Sequence, residues 1–214
     1  MKLKYDIKET ADWHYDSQMV PTDELRKVAH YDISAYDGVV ANILADPYMM
    51  GGIKRIHIGS PALKVNNKQI NVRSLYMEQI GYSHEDYFIE FNNDVLQNLV
   101  HELRVKFNLI HEHYCIIVIP PGQCMPVHGD TYSYLMRYME RDNPEVQYDL
   151  KEHCRRYLTF LSDWEWGQSL GAGNVLKWQW EKGDIFEWEH KLIHWSSNAG
   201  LKPMVFLEVT GLRL

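Results

Sequence analysis

The stretch Pro120–Asp130, PPGQCMPVHGD, follows a run of strand-forming residues, Tyr114–Ile119, and ends in a histidine and an aspartate one residue apart. In a β-strand, residues i and i+2 face the same side of the sheet, so the side chains of His128 and Asp130 are expected to point together. Imidazole and carboxylate groups both bind divalent metals. The same spacing also arises by chance, in which case the pair is structural, so the surrounding sequence decides between the two interpretations.

A second stretch, GDIFEWEHKLIHWSSN at residues 183–198, provides that context. Its first two residues, Gly183 and Asp184, suit a tight hairpin turn. A metal bound by two neighbouring ligands on one strand needs a third from a strand across the barrel, and His194 is placed to supply it. Two histidines and one carboxylate on one face leave positions open for a bidentate co-substrate and O2, as in non-haem Fe(II) sites. His128, Asp130 and His194 are therefore the predicted metal-binding and catalytic residues.

Other histidines and aromatic residues receive a structural interpretation. His111 and His113 also lie two apart on an expected strand, but no glycine-rich segment precedes them and no distal partner motif follows, so a surface role is expected. Alternating tryptophans in a small barrel more often fill the core than stack on a substrate, and this applies to Trp178, Trp180 and Trp188.

The remaining pattern predicts a mainly β fold with N-terminal helices. Helical spacing of apolar residues over Asn93–Leu109 indicates a helix, capped by Asn93 or Asp94, and shorter helices are expected at residues 22–31 and 34–47. From Tyr114 onward the period becomes that of short strands separated by turns, which is typical of a sandwich, barrel or jelly roll. The expected strands are YCIIVI, RRYLTFLSDW, VLKWQW, IFEW, HKLIHWSSNAG and PMVFLEVTGL, with GQSLGAGN as glycine-rich turns.

The domain organisation follows from the same pattern. Residues 1–214 are expected to form a single domain. Its mixed, partly helical part at 1–113 braces a β core at 114–214. A polar segment without a clear period, residues 132–154, is interpreted as a lid-like insertion in that core.

Charge and composition limit the partners. The formal net charge is −7, which argues against nucleic acid, because duplex binding normally rests on a basic face. No segment approaches the roughly 18 apolar residues of a membrane span, and the N-terminus has no secretory signal pattern. The three cysteines, Cys115, Cys124 and Cys154, have no CxxC spacing. We therefore expect a cytoplasmic protein with reduced thiols and no membrane partner.

The two motifs, PPGQCMPVHGD and KGDIFEWEHKLIHWSSNAG, together with RRYLTFLSDW, resemble those of the cupin-type, double-stranded β-helix oxygenases dependent on Fe(II) and 2-oxoglutarate. Their order is also similar to that in the aspartyl/asparaginyl β-hydroxylase-like branch and in small phage-type members. The resemblance covers about Tyr114–Gly211. It implies a double-stranded β-helix (jelly-roll or cupin-like) core, Fe(II) bound by His128, Asp130 and His194, and 2-oxoglutarate as co-substrate.

The residue that would bind the far carboxylate of 2-oxoglutarate departs from the family pattern. In the family pattern an arginine commonly follows the distal histidine by about ten residues, but Met204 stands at that position here, and the nearest cation is Lys202. In RRYLTFL the face with Arg155 and Tyr157 is the more polar and is expected to line the interior, whereas the face with Arg156 is expected to pack beneath a helix. The predicted co-substrate-binding residues are therefore Lys202, Arg155 and Tyr157.

The function implied by the resemblance is that of a dioxygenase. It would hydroxylate a C–H bond of a small molecule, for example an amino-acid-like one, or of a protein side chain, with 2-oxoglutarate and O2 as further partners. Two other classes remain open. The first, supported by Met204, is a metal-dependent cupin isomerase or hydrolase without 2-oxoglutarate, and the second is a non-catalytic cupin-like module that binds sugar or metal. A structural metal site tends to have four protein ligands, and only three candidates stand at suitable positions here, which favours catalysis.

Overall fold

The structure is a computed structural model that describes residues 25–45, 62–65, 68–71, 89–91, 96–128, 132, 135, 141, 149–173, 175–189 and 192–213. Within this part, side chains are described except at 62–65, 68–71, 89–91, 126–128, 150–151 and 189.

The described chain is mainly β. It contains a 3-10 turn at Ser34–Tyr36 and three α-helices, which are α1 (Asp37–Ala45), α2 (Gln97–Lys106) and α3 (Leu150–His153). Its strands are β1 (Arg26–His30), β2 (Ala62–Val65), β3 (Lys68–Asn71), β4 (Ile89–Phe91), β5 (Leu109–Ile119), β6 (Gln123–His128), β7 (Cys154–Phe160), β8 (Gln168–Ala172), β9 (Val175–Lys177), β10 (Asp184–Glu189), β11 (His194–Asn198) and β12 (Met204–Arg213).

The strands form two main antiparallel sheets. A large sheet has the order β1-β10-β7-β12-β5-β4, a small sheet has the order β6-β11-β8-β9, and β2 and β3 form a separate hairpin pair. Among the eight strands from β5 to β12, the first, third, sixth and eighth lie in the large sheet and the other four in the small one. This is the strand order of a jelly roll, in which the chain passes repeatedly between two facing sheets.

Buried apolar side chains from both sheets fill the space between them, which we call the inner core. Phe160 is central to it, because its ring stacks on Trp180 at 4.1 Å between centroids and meets Phe186 and Phe206 edge-on. Successive residues of a strand alternate between faces, so Leu158 and Phe160 of β7 point inward. The other members include Cys115, Ile117, Ile119, Met125, Leu170, Ala172, Trp188 and Met204.

The opposite face of the large sheet is covered by the two longer helices. Val40 and Ile43 of α1 and Leu99 and Leu103 of α2 are buried in one apolar cluster with Leu207 of β12. This outer core also contains Ile116, Val118, Tyr157, Ile185, Val205 and Val209. The large sheet is therefore buried on both faces, which explains the nearly continuous apolar sequence MVFLEV in β12.

The structure corrects the prediction of a helix at residues 22–31. Within the described part of that segment, Arg26–His30 is strand β1, which pairs with β10 at the edge of the large sheet. The pairing continues beyond the strand, where the backbone N–H of Tyr31 donates to the carbonyl of Gly183. Local helix propensity is a weak preference, and hydrogen bonding to an open sheet edge overrides it here.

Two other boundaries differ from the sequence interpretation. Helices at 34–47 and 93–109 are confirmed in their described parts, but α2 ends at Lys106 and Leu109 begins β5; the proposed caps Asn93 and Asp94 lie outside the described residues. The segment GQSLGAGN contains strand β8 rather than turns alone. Gly171 is needed there because a Cβ atom at this position would lie 2.0 Å from the indole of Trp195. Its role is close packing and not a turn.

The predicted domain division remains a prediction. Most of the proposed lid at residues 132–154 lies outside the described part, which contains Tyr132, Leu135, Arg141 and residues 149–154, including α3. Among the described helices, none is long and apolar enough to cross a membrane.

We predict that Phe160→Ala lowers the free energy of unfolding by about 3–5 kcal/mol, because it removes a fully buried ring that contacts three aromatic neighbours. The measurement is equilibrium unfolding in urea. Val105→Ala is the control, since Val105 is 65% exposed on α2 and its truncation should change stability by less than about 0.5 kcal/mol. Equal effects of the two substitutions would contradict the assignment of the inner core.

Candidate functional site

His194 is the first residue of β11 and is buried, with 1% of its surface exposed. Its Nδ1 lies 2.9 Å from the carbonyl oxygen of Leu192. A carbonyl oxygen can only accept, so Nδ1 carries a proton, and in the neutral imidazole Nε2 then carries the lone pair. The imidazole also packs against Trp188, at 5.0 Å between ring centroids. This tautomer, fixed by a backbone carbonyl, is the form in which a histidine binds a metal through Nε2.

The backbone brings the two predicted histidine ligands together. His128 is the last residue of β6, and its Cα is the direct antiparallel partner of the Cα of His194. A bulge follows, after which Ser196 pairs with Met125. Asp130 lies outside the described residues, and the His128 side chain is not described. The three-residue metal site therefore remains a prediction, supported at the level of strand register for its two histidines.

A row of polar and aromatic side chains crosses the inner face of the large sheet. In the sheet register, Trp188 pairs with Arg156, Arg156 with Thr210, and Thr210 with His113. Each of the four lies an even number of residues from an inner-core residue of its own strand, so all four side chains face the small sheet. Trp188 contacts His194, so this row lies at the His194 end of the barrel. We call it the polar end. The Phe160 end of the same strands is apolar.

Arg156 is the central charge of the polar end. One guanidinium nitrogen lies 3.1 Å from a carboxylate oxygen of Glu208, and Nε donates to the hydroxyl of Thr210 at 3.0 Å. The guanidinium carbon lies 5.1 Å from the ring centroid of Tyr132 and 5.7 Å from that of Trp188. Both side chains of the ion pair are about nine-tenths buried. Charge, hydrogen bonds and ring faces thus fix one orientation of the arginine.

The structure reverses the predicted faces of β7. Tyr157 belongs to the outer core, where its ring stacks on Phe107 at 4.0 Å. Arg155 also lies on the outer face, with its Nε 3.4 Å from Glu187. The prediction treated the more polar face as the interior. It was wrong because a buried arginine needs a charge partner. The partner of Arg156 is Glu208, which lies on another strand and cannot be identified from RRYLTFL alone.

Lys202 does not line the barrel either. It lies in the loop before β12, and its exposed ammonium group contacts the carboxylate of Glu165. The backbone of Lys202, in contrast, bonds to buried groups, because its carbonyl accepts hydrogen bonds from the side-chain amides of Gln168 and Asn198. Met204, at the position of the family arginine, is fully buried in the inner core. The expectation that the Lys202 side chain faces the interior with position 204 is therefore wrong.

His113 lies on the inner face of β5, although the sequence interpretation placed it at the surface. It faces inward at the polar end, opposite Thr210. Burial lowers the pKa of His113, and the charge of Arg156 lowers it further. The sequence pattern could have predicted this position, because His113 is two, four and six residues from Cys115, Ile117 and Ile119, which form the inward face of β5.

One group among the described residues could hold a metal ion, and it lies elsewhere: His30, Glu181 and Asp184. Asp184 is already bound by Lys27, whose ammonium nitrogen lies 2.6 Å away, and by His30 at 2.9 Å. Burial raises the pKa of Asp184, but hydrogen bonds from Lys27, His30 and the Glu181 backbone outweigh it and hold this pKa below its usual range. The ammonium group of Lys27 already pairs with the Asp184 carboxylate. The arrangement fits the turn role expected for Asp184.

Comparisons with known proteins give fold-level neighbours. No family model matches the sequence, and no curated protein matches it. Among solved structures, a Klebsiella pneumoniae protein with a double-stranded β-helix domain is similar at 18% identity, over 48% of this chain and 68% of that chain, with a TM-score of 0.31. A predicted oxalate decarboxylase from Thermotoga maritima is similar at 12% identity, over 58% and 78%, with a TM-score of 0.33. A cupin domain from Bordetella pertussis is similar at 13% identity, over 48% and 82%, with a TM-score of 0.32.

These neighbours are cupin and double-stranded β-helix proteins, and none of the three is described as a 2-oxoglutarate-dependent oxygenase. TM-scores this low carry no argument about function. The assignment of a jelly roll rests instead on the strand order of the two sheets.

We predict that Arg156→Met lowers the free energy of unfolding by about 3–5 kcal/mol, because it leaves the buried carboxylate of Glu208 without its charge partner. The double variant Arg156→Met/Glu208→Leu should recover most of this loss, since a buried ion pair replaced by apolar groups of similar size is often neutral. Urea unfolding of the parent, both single variants and the double variant measures the coupling. Additive losses would show that the two side chains do not interact.

We also predict a pH dependence from His113. Its pKa is lower in the folded than in the unfolded chain, so the unfolded state takes up a proton first as the pH falls below about 6.5. Folded stability therefore decreases from about pH 6.5 down to the lowered pKa, and His113→Gln should remove this part of the decrease. Urea unfolding between pH 5 and 7.5 tests it, with the exposed His101→Gln on α2 as control. An unchanged slope in His113→Gln would contradict the prediction.

Proposed function

We propose that this protein is a non-haem Fe(II)- and 2-oxoglutarate-dependent dioxygenase that hydroxylates a C–H bond of a small molecule or a protein side chain. The observation that carries the proposal is the pairing of His194 with His128 in the small sheet, with His194 buried and its Nδ1 held by a backbone carbonyl. Two of the three predicted ligand positions, His128 and His194, are thus direct strand partners.

The proposed metal ligands are His128, Asp130 and His194. Directly opposite residues of an antiparallel pair have Cβ atoms about 4.5–5.5 Å apart, a separation that suits two ligands of one ion. His194 fits the ligand role because its Nε2 is the basic nitrogen. Iron bound there, with 2-oxoglutarate and O2, would supply the oxidising chemistry, and the protein's own contribution is to hold the ligands and exclude water.

Arg156 replaces Lys202, Arg155 and Tyr157 as the residue that we propose for the co-substrate carboxylate. It is the cation that the described structure places on the inner face of the large sheet at the polar end, and Trp188 contacts both it and His194. A guanidinium group presents five N–H donors in a planar fork that suits a carboxylate. Glu208 and Thr210 fix its position before any ligand arrives, which lowers the entropic cost of binding.

The other groups of the polar end would shape the ligand pocket. Trp188 is fully buried and offers an apolar wall beside His194, while Thr210 and His113 add polar groups along the same row. A neutral His113 can donate and accept hydrogen bonds without adding charge beside Arg156. An amino-acid-like substrate with a carboxylate would suit this mixture of polar and aromatic groups.

Two observations favour a second candidate, a metal-dependent cupin isomerase or hydrolase without 2-oxoglutarate. Met204 is buried among apolar residues at the position where the family has its arginine. Arg156 already shares its charge with Glu208, which reduces its attraction for a second carboxylate. A non-catalytic binding module is the third outcome that the experiment must separate.

The test is an anaerobic titration of the purified apo-protein with Fe(II) and then 2-oxoglutarate, monitored by visible absorption. We expect a weak metal-to-ligand charge-transfer band, which forms only when the keto acid chelates the iron through two atoms. His194→Ala should abolish the band. Arg156→Met should require at least about tenfold more 2-oxoglutarate, since one charged hydrogen bond is worth about 1.5–3 kcal/mol.

The matched control is Arg155→Met, the neighbouring arginine on the opposite face of β7, which should leave the band and its half-saturation concentration unchanged. Iron binding without a band would favour the cupin enzyme without 2-oxoglutarate. Retention of full iron binding in both His128→Ala and His194→Ala would refute the metal site itself. Stability of each variant is checked by urea unfolding, so that loss of the fold is not mistaken for loss of binding.

A further inference from the structure

We propose that Trp188 and Ser196 bind a ligand inside the barrel, by donating an indole N–H and a hydroxyl to the oxygens of a carboxylate beside His194. We call Trp188 Nε1 and Ser196 Oγ the donor pair. The inference deepens the proposed function and rests on it for one source of that carboxylate, which is 2-oxoglutarate. The other source is a carboxylate of the substrate itself.

Both atoms of the donor pair are buried and have no hydrogen-bond partner within the described part of the chain. Trp188 is 1% exposed and Ser196 0%. A buried donor without an acceptor destabilises the folded state, and buried tryptophans usually find a partner for the indole N–H. Such atoms are few in native proteins, so each one calls for an explanation. The donor pair is placed for an acceptor that the protein does not supply.

The strand register places the donor pair around His194. Ser196 lies two residues after His194 on β11, so the two side chains face the same side of the small sheet. The strand partners of Ser196 are Met125 on β6 and Leu170 on β8, and both belong to the inner core. Trp188 comes from the large sheet, and its ring lies 5.0 Å from that of His194. The two donors therefore approach His194 from opposite sheets.

Two other buried side chains, Thr159 and Trp180, also have a polar atom without a partner among the described residues. Thr159 lies between the inward residues Leu158 and Phe160 on β7, so it faces the outer core. Trp180 stacks on Phe160 at the apolar end of the barrel. These two atoms are thus isolated from each other and from His194. The donor pair differs from them because its two members meet at one proposed ligand position.

The chemistry of the donor pair selects the class of ligand. An indole N–H can only donate, so its partner must be an acceptor, and a hydroxyl can donate to the same ligand. A carboxylate offers two charged oxygens, and hydrogen bonds to a charged acceptor are roughly twice as strong as those to a neutral one. Met125, the strand partner of Ser196, can make room for it, because methionine is unbranched and flexible. A carboxylate therefore suits the donor pair better than a neutral carbonyl or hydroxyl.

The first test compares two adjacent serines in the ligand-free protein. The hydroxyl of Ser196 is buried without a partner, so Ser196→Ala should raise the urea midpoint of unfolding or leave it unchanged. The hydroxyl of Ser197, on the other face of β11, is hydrogen-bonded to that of Ser169 at 2.8 Å. Ser197→Ala should therefore lower the midpoint. A loss of stability in Ser196→Ala as large as that in Ser197→Ala would show that the Ser196 hydroxyl already has a partner, and would overturn the proposal.

The second test is an anaerobic thermal unfolding titration of the Fe(II)-loaded full chain with 2-oxoglutarate and, separately, with glutarate, against sodium chloride at equal ionic strength. Glutarate has the same length but lacks the keto group, so it cannot chelate iron as a keto acid. We expect a saturable rise in the melting temperature with at least one of the two. Ser196→Ala and Trp188→Phe should each raise the half-saturation concentration by about tenfold, because one hydrogen bond to a charged group is lost.

The matched controls are Ser197→Ala and Trp180→Phe. Ser197 is adjacent to Ser196 but faces outward, and Trp180 is a buried tryptophan whose N–H also has no partner among the described residues but lies at the apolar end. Both variants should bind the carboxylates with the parent half-saturation concentration. If Trp188→Phe fails to fold, Ser196→Ala decides, because it removes a single atom from an unpaired position.

The outcomes separate this inference from the proposed function. The donor pair is refuted if neither carboxylate stabilises the parent beyond chloride, or if Ser196→Ala keeps the parent half-saturation concentration. A charge-transfer band with 2-oxoglutarate that Ser196→Ala leaves unchanged would refute the donor pair alone. Saturable binding of glutarate that Ser196→Ala weakens, without any band for 2-oxoglutarate, would support the donor pair and contradict the proposed function. Tighter binding of 2-oxoglutarate, with the band, would identify the co-substrate as the source of the carboxylate.

Discussion

The buried ion pair between Arg156 and Glu208 is the constraint on which the arrangement of the large sheet depends. A slip of β7 by one residue would move Arg156 to the outer face and leave Glu208 as an uncompensated charge between the sheets. The same slip would bring Tyr157 inward and Phe160 outward, away from its three aromatic neighbours. Packing and electrostatics thus select the same register, and that register places the polar row beside His194.

The two adjacent arginines of β7 show how one sheet can serve two chemically different faces. Each arginine has a carboxylate on a neighbouring strand, Glu208 for Arg156 and Glu187 for Arg155. Arg156 of the inner pair also contacts a hydroxyl and two aromatic rings. The outer carboxylate contacts two further arginines, one at the start of β1 and one at the end of β12. The inner carboxylate therefore pairs with one arginine, whereas the outer carboxylate is shared by three.

The parts of the structure that depend on local pattern could be predicted from the sequence. The turn signals and apolar runs after Tyr114 indicated a sandwich, barrel or jelly roll, and the spacing of Leu99, Val100 and Leu103 indicated helix α2. The parts that depend on a distant partner could not. Strand β1 needs the open edge of β10, and the inward position of Arg156 needs Glu208, which follows it by about fifty residues. Of the candidate site, the strand register places His128 opposite His194, and the metal-binding role of these two residues and of Asp130 remains a prediction.

The side chain of Asn198 ties the two sheets together at the apolar end of the barrel. Its amide donates to the carbonyls of Ile119 in the large sheet and Lys202 in the loop before β12, and its oxygen accepts from the N–H of Gly200. His194 begins the same strand, at its opposite end. These hydrogen bonds of Asn198 therefore fix the spacing of the two sheets at the Asn198 end of β11. Because one side chain makes both contacts, loss of the Asn198 amide would release β11 from the large sheet and from the loop before β12 at the same time.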